Sequence, residues 1–163
     1  MPRNPERTYV RGPVMSVLRL IGPVVAVLSV VVMIVVYPRL PDEVPTHFGL
    51  TGDVDSFGPR WNVFILAGIS LLLQAGVLFL SSKPYFLNYP IVVTATNAQR
   101  VYQEGERMLV WVAVALAVLF TGLNLSVLDV ASGPVMLLGL VGLVAAVVLG
   151  IIRFTRMSSS ISV

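Results

Sequence analysis

The side chains best suited to chemistry are concentrated in residues 40–61, LPDEVPTHFGLTGDVDSFGPRW. This stretch holds the only histidine of the chain and four of its eight acidic residues: Asp42, Glu43, His47, Asp53 and Asp55. An imidazole among carboxylates could bind Zn²⁺ or Mn²⁺, or act as a pH switch. A second histidine and the ordered oxygen ligands of a calcium loop are both missing. We therefore predict no metal and no cofactor here, and expect the aspartates to stabilise a turn.

The rest of the chain carries no recognisable catalytic motif. It lacks a serine nucleophile elbow, a zinc-binding His-Glu helix, a phosphate-binding loop and a dinucleotide-binding glycine pattern. It also has no cysteine, which excludes disulfides and thiolate chemistry. The sequence therefore predicts a protein that is not an enzyme.

Composition indicates an integral membrane protein. Hydrophobic residues make up 56% of the 163 positions, charged residues 12%, and the mean hydropathy is +0.90. Soluble domains carry about 25% charged residues, so this chain has too little polar surface for one. The net charge of +3 is spread thinly and forms no basic run, so nucleic-acid binding is not predicted.

Four charge-free stretches define the predicted membrane spans. They run over Leu20–Tyr37, Trp61–Ser82, Met108–Leu128 and Val130–Ile152. A spanning helix needs about 20 apolar residues and must satisfy its own backbone hydrogen bonds. We predict one all-α membrane domain, residues 1–163, with four transmembrane helices at about 14–37, 61–82, 108–128 and 134–152.

The distribution of Lys and Arg predicts the orientation. Nine basic residues precede the first span, lie between spans two and three, or follow span four: Arg3, Arg7, Arg11, Arg19, Lys83, Arg100, Arg107, Arg153 and Arg156. Only Arg39 and Arg60 lie on the other side. By the positive-inside rule both termini are cytoplasmic, and loop 38–60 lies outside. Loop 83–107 is then cytoplasmic, and a capping box of Thr96 and Gln99 predicts a short helix from Asn97 that runs into span three, with Gly105 as the place where a break is allowed.

The predicted spans hold little chemistry. No Asp, Glu, Lys or His falls within them, which argues against ion-coupled transport. Their polar residues are expected to form hydrogen bonds between helices: Ser29, Ser70, Gln74, Thr121, Asn124 and Ser126. Small residues at Gly142, Ala146 and Gly150 allow close packing. Packing within the bundle and packing between copies in a homo-oligomer both remain open.

Loop 38–60 is expected to fold onto the outer ends of the helices. Its prolines prevent a long helix, and VPTHF, GLTG and DVDSF follow the pattern of strand, turn and strand. We predict a small proline- and glycine-rich extracytoplasmic cap, formed as a β-hairpin. Its candidate binding or cap-structuring residues are Asp42, Pro45, His47, Phe48, Asp53, Asp55, Phe57 and Arg60.

The stretch YPRLPDEVPTHFGLTGDVDSFGPRW resembles the signature loop of a bacterial membrane family of unknown function. That family's domain forms the N-terminal part of the Sdp toxin-immunity proteins (SdpI-like). The matching positions are Leu40, Pro41, Pro45, His47, Phe48, Gly52, Asp55, Phe57 and Arg60, and LNYP at 87–90 is similar as well. Gly49 and Pro59 depart from the pattern. The resemblance implies a bacterial cytoplasmic-membrane protein with this loop outside and no catalytic residues.

Three functions follow as hypotheses. In the leading one, a non-enzymatic membrane protein protects against or senses an envelope-acting peptide or another extracytoplasmic ligand. In the second, the chain is a small accessory subunit of a larger membrane complex, and the loop contacts a partner membrane protein. A carrier for a small neutral solute is weaker, because the spans lack charge. The lipid bilayer is the expected surrounding in all three.

Overall fold

The computed structural model describes residues 5–49, 53–130 and 132–159. Residues 158 and 159 are described by their backbone only. Most of this chain is helical: α1 is Pro13–Val36, α2 is Asn62–Ser82, α3 is Ala98–Val127 and α4 is Gly133–Ser159. Each of the four helices is long and apolar enough to cross a membrane. The protein is therefore a multi-pass helical membrane protein.

Helix α3 is the centre of the bundle. It packs against α1, α2 and α4, while α4 packs mainly against α3. Glycines allow the closest contacts between α3 and α4: a Cβ at Gly139 would overlap the backbone nitrogen of Leu119, and one at Gly150 would overlap the sulfur of Met108. Gly139 and Gly150 thus serve packing within the bundle, whereas a Cβ at Gly142 would lie at an ordinary 3.4 Å from the Ala115 Cβ.

Helix α3 starts close to where its first turns were predicted. It begins at Ala98 and continues without a break into the apolar span, as expected for a helix from Asn97 that runs into span three. Gly105 does not interrupt it; instead the ring of Tyr89 lies against this glycine, where a Cβ would be 2.7 Å from Tyr89 Cε1. As a consequence, Glu104 and Glu106 lie on the same continuous helix as the apolar span.

The predicted capping box at the start of α3 is wrong. The N-cap is Asn97, without a side-chain capping bond, and the Thr96 hydroxyl lies 2.9 Å from that of Thr94. The Gln99 amide instead donates to the Glu6 carbonyl at 2.8 Å and accepts from the Thr8 N–H at 2.9 Å. A contact distant in sequence has replaced the local one.

Residues 5–12 form an extended segment, here called the strap, which crosses the end of the bundle opposite the β-strands. It follows one face of α3, on which Gln99, Tyr102 and Glu106 recur at helical spacing. The Tyr102 hydroxyl donates to the Pro5 carbonyl at 2.9 Å. We call this end of the molecule the strap end and the opposite end the hairpin end.

The turn between α3 and α4 lies at the hairpin end. Asp129 has φ 57°, the left-handed conformation that often ends a helix. The N–H of Val130 donates to the Leu125 carbonyl at 3.0 Å, as in a Schellman motif. Ser132 directly precedes α4, and its hydroxyl contacts the hydroxyl of Ser126.

Candidate functional site

A two-stranded antiparallel sheet connects α1 to α2. Strand β1 is Glu43–Phe48 and β2 is Val54–Pro59, with Val44 opposite Gly58 and Phe48 opposite Val54. The register is irregular around His47. The Gly49 N–H donates to the Asp53 carbonyl at 2.8 Å. The predicted turn GLTG covers residues 49–52, and of these residues 50–52, including Gly52, lie outside the described residues.

Val44 attaches the hairpin to the bundle. Its side chain is 1% exposed and belongs to a cluster with Met33, Leu40, Val63 and Val127. Burial of a valine contributes about 1.5–3 kcal/mol. Because the cluster joins α1, α2 and α3 with the first strand, the base of the hairpin is fixed relative to the helix ends.

Arg60 closes the hairpin at the same base. Its N–H donates to the Asp42 carbonyl at 2.9 Å, and its guanidinium donates to the Leu40 carbonyl at 3.4 Å. The guanidinium carbon also lies 5.4 Å from the Tyr37 ring centroid. The Asp42 carboxylate is 3.8 Å from Arg60 and 96% exposed, so that ion pair contributes little. Asp42 and Arg60 thus shape the hairpin base.

His47 and Asp55 form the polar pair of the exposed part. Nδ1 of His47 lies 2.5 Å from Asp55 Oδ1, and the two side chains are 70% and 52% exposed. Since a carboxylate oxygen accepts, Nδ1 donates and Nε2 is left as the second polar atom of the ring. Within residues 5–49, 53–130 and 132–159, no three His, Asp or Glu side chains converge as metal ligands.

Two apolar crevices open below the hairpin, on either side of Phe48. One, of about 290 Å³, lies between Pro45, Phe48 and α2. The other, of about 320 Å³, lies between His47, Phe48 and the α3–α4 pair. Phe57 on β2 is 60% exposed, and Asp53 lies at the exposed start of that strand. The structure therefore brings His47 and Asp55 together near apolar surface and places Asp42 and Arg60 apart from them.

A second polar cluster, at the strap end, was missed by the sequence analysis. The Glu106 side chain is 4% exposed and forms an ion pair with Arg11. The Tyr9 hydroxyl donates to Glu106 Oε2 at 2.5 Å, and Arg11 also donates to the Ser81 carbonyl at 3.2 Å. Arg19 donates to the Ser81 hydroxyl and to the Leu78 carbonyl, both at 2.9 Å.

Burial shifts the titration of this cluster. Burial raises the pKa of the Tyr9 phenol, while the positive charges of Arg7, Arg11 and Arg19 partly oppose the shift. Burial also lowers the pKa of Arg11. The one signal available in the sequence was the spacing of Gln99, Tyr102 and Glu106, a polar helical face directly before an apolar span.

The polar residues inside the bundle form fewer bonds between helices than expected. Gln74 of α2 donates to the Ala113 carbonyl of α3 at 3.0 Å, whereas Thr121 donates to the Ala117 carbonyl of its own helix. Ser70 Oγ, Gln74 Oε1 and Asn124 Oδ1 are buried without a hydrogen-bond partner among the described residues.

Comparison with known proteins gives partial matches. Residues 24–71, from within α1 through the hairpin into α2, match the family described as Domain of unknown function (DUF1648). An uncharacterized protein of Archaeoglobus fulgidus is 36% identical over 62 residues, which cover 33% of this chain and 34% of the relative. The chain thus matches about a third of that relative's length. No solved structure matches the chain. Neither match names an activity.

Proposed function

We propose that the protein is a non-enzymatic, SdpI-like protein of the bacterial cytoplasmic membrane. In this proposal both termini are cytoplasmic and the hairpin is extracytoplasmic. The hairpin recognises an envelope-acting peptide or another extracytoplasmic ligand, and the protein protects the cell from it or senses it. A role for the hairpin is supported by the resemblance of the loop and by the match of residues 24–71 to a protein family.

The observation that carries the proposal is the contrast between the two parts of the hairpin. Its base is held by the buried Val44 and by the bonds of Arg60 to Leu40 and Asp42. Its exposed surface presents the His47–Asp55 pair and, opposite Pro45, the side chain of Phe57. A rigid platform lowers the entropy cost of binding, and polar groups beside apolar crevices suit an amphipathic ligand such as a peptide.

A deletion strain challenged with a panel of envelope-active peptides tests this function. Complementation with the wild-type gene should restore growth against at least one peptide. His47→Ala, Asp55→Ala and Phe57→Ala should reduce that protection, with melting temperatures within a few degrees of wild type. Ser56→Ala, an exposed neighbour on β2, is the matched control and should protect fully. Full protection by all three variants would remove the hairpin from the recognition step.

The second candidate, an accessory subunit, is favoured by an open face of α2. No atom lies within 4 Å of a Cβ built at Gly68 or at Gly76, so a helix of a partner could approach closely there. The chain has no cysteine, so Gly68→Cys and Gly76→Cys allow specific cross-linking in membranes. A stoichiometric cross-linked heterologous protein would favour the subunit hypothesis. A monomer or a homodimer would favour the recognition hypothesis.

A further inference from the structure

Three arginines converge at the strap end of the bundle. The Arg7 guanidinium carbon lies 4.5 Å from the ring centroid of Tyr9. Arg11 and Arg19 both donate to Ser81, one to its carbonyl and the other to its hydroxyl. The charges of all three act on the Tyr9 phenol and oppose the rise of its pKa. Two of these arginines come from the strap and one from α1.

Their charge is only partly balanced within the chain. Among the described residues, the carboxylate that pairs with this cluster is Glu106, which binds Arg11 and accepts from Tyr9. Three guanidinium groups therefore face one carboxylate, which leaves an excess of two positive charges in a partly buried place. Partial burial strengthens the attraction of such charges for an anion, because solvent screens them less.

The hydrogen-bonding capacity is also incompletely used. Nε of Arg7 is buried and has no hydrogen-bond partner among the described residues. A buried donor without a partner carries a desolvation cost that an acceptor would remove. A guanidinium offers five N–H groups in a planar fork, which suits the oxygens of a phosphate. The cluster thus combines an excess of positive charge with one buried donor, Arg7 Nε, that has no partner among the described residues.

The depth of the cluster suits a lipid headgroup. Arg19 lies six residues after the start of α1, about 9 Å along the helix, and its guanidinium reaches the last turn of α2 at Leu78 and Ser81. The cluster therefore lies at the end of the bundle where α1 begins, α2 ends and the polar strap crosses. That level is where phosphates of a bilayer lie.

We propose that Arg7, Arg11 and Arg19 form a binding site for a phosphate group. The phosphate belongs to the headgroup of an anionic phospholipid or to a soluble phosphate. Arg7 contributes the unpartnered donor and is the specificity residue of the site. Arg11 and Arg19 are held in place by Glu106, Ser81 and Leu78 and supply the positive field. The site is independent of what the hairpin recognises.

Ligand-induced stabilisation of the purified full-length protein in a neutral detergent tests the site. The melting temperature is measured against phosphatidylglycerol, with phosphatidylcholine as the uncharged control. A second series uses inorganic phosphate, with chloride at equal ionic strength. The variant is Arg7→Gln, because Arg7 takes no part in the Glu106 ion pair and its loss leaves that contact intact. Arg100→Gln is the matched control, since Arg100 is an exposed arginine on α3.

Phosphatidylglycerol should stabilise the wild type more than phosphatidylcholine does. Arg7→Gln should weaken the apparent affinity about tenfold or more, as expected for a lost charge-assisted bond, while Arg100→Gln should bind as wild type. An effect of phosphatidylglycerol alone assigns the phosphate to a lipid. An equal Arg7-dependent effect of millimolar inorganic phosphate assigns it to a soluble anion. Equal responses of wild type and Arg7→Gln to both probes would overturn the proposal.

Discussion

The phenol of Tyr9 donates a 2.5 Å hydrogen bond to Glu106 Oε2, between residues 97 positions apart in sequence. The same carboxylate pairs with Arg11, so a buried acidic side chain of α3 holds the strap in place. A specific charged contact therefore holds the strap against α3, whereas apolar packing around Val44 holds the hairpin against the helix ends.

Glu106→Gln should destabilise the protein by about 3 kcal/mol, because it leaves the guanidinium of Arg11 partly buried without its counter-charge. Thermal unfolding in detergent, followed by near-UV circular dichroism, measures the loss. Glu104→Gln is the control: its partners Arg107 and Arg153 are about half exposed, so its effect should stay below about 1 kcal/mol. Equal losses in both variants would contradict a structural role for the buried pair.

Alkaline pH should loosen the strap end. The pKa of Tyr9 is raised above its ordinary value of 10.0 by burial, and the pKa of Tyr89 is raised by burial and by the neighbouring Tyr102. A raised pKa in the folded state means that the stabilisation is complete below about pH 10 and falls as pH rises further. The melting temperature should therefore decline above that value.

This decline of the melting temperature can be checked with two variants, Tyr9→Phe and Tyr89→Phe, over the same pH series. Each should be less stable than wild type near pH 7, because the Tyr9 bond to Glu106 or the 2.8 Å Tyr89 bond to the Pro84 carbonyl is lost. Each should also show a shallower decline above about pH 10. Parallel curves for the wild type and both variants would show that other groups control the alkaline transition.

Val44→Ala should free the hairpin from the bundle. The side chain is 1% exposed, and its truncation should cost roughly 2 kcal/mol. Hydrogen exchange should then show faster exchange of backbone amides in β1 and β2, with the helices unaffected. Val54→Ala on β2, where the side chain is 37% exposed, should change stability by about 0.5 kcal/mol or less. Unchanged exchange in Val44→Ala would show that the Arg60 contacts alone hold the hairpin.

Gly22→Ala should disturb the packing of α1. A Cβ at this position would lie 3.0 Å from the Ala113 carbonyl oxygen of α3, and closer still to the side-chain oxygen of Gln74. Overpacking of this kind costs about 1–3 kcal/mol. Gly68→Ala meets open space, so it should be neutral or slightly stabilising. A neutral Gly22→Ala would mean that the Gln74 side chain can move aside without loss.

Membrane orientation can be tested with single cysteines, since the chain has none. Ser56→Cys in the hairpin and Asn88→Cys at the strap end both replace exposed residues. The positive-inside rule predicts that an impermeant thiol reagent labels Ser56→Cys in intact cells and Asn88→Cys only after permeabilisation. The reverse pattern would place the hairpin in the cytoplasm and refute the proposed topology.

The four apolar helices could be predicted from the sequence because lipid exposure requires long runs without charge, and such runs are visible locally. The strands of the loop could also be predicted, since prolines and alternating apolar residues exclude a helix there. The start of α3 near Asn97 was predictable as well, but the capping box that suggested it does not form, because Thr96 and Gln99 bind other groups. Glu104 and Glu106 continue the helix with side chains that find cationic partners elsewhere in the chain.

The candidate site was predictable only as a group of residues in one loop. Sequence spacing does not show that Arg60 binds the backbone at the hairpin base while His47 reaches Asp55, since both depend on strand register. The strap cluster could not be predicted from any local stretch of the sequence. Tyr9, Arg11 and Glu106 are joined by folding across more than ninety positions, and each of them alone looks like an ordinary residue of a membrane interface.

That separation has a consequence for biogenesis. At synthesis rates of about 5–20 residues per second, the strap is made roughly 5–20 s before Glu106. During this interval Arg11 lacks the carboxylate that α3 supplies, whereas the acceptors of Arg19, Leu78 and Ser81, are already present once α2 is made. The strap end can close only once the third span has inserted, so this contact completes assembly rather than starting it. A nascent chain arrested before α3 would present Arg11 without its counter-charge.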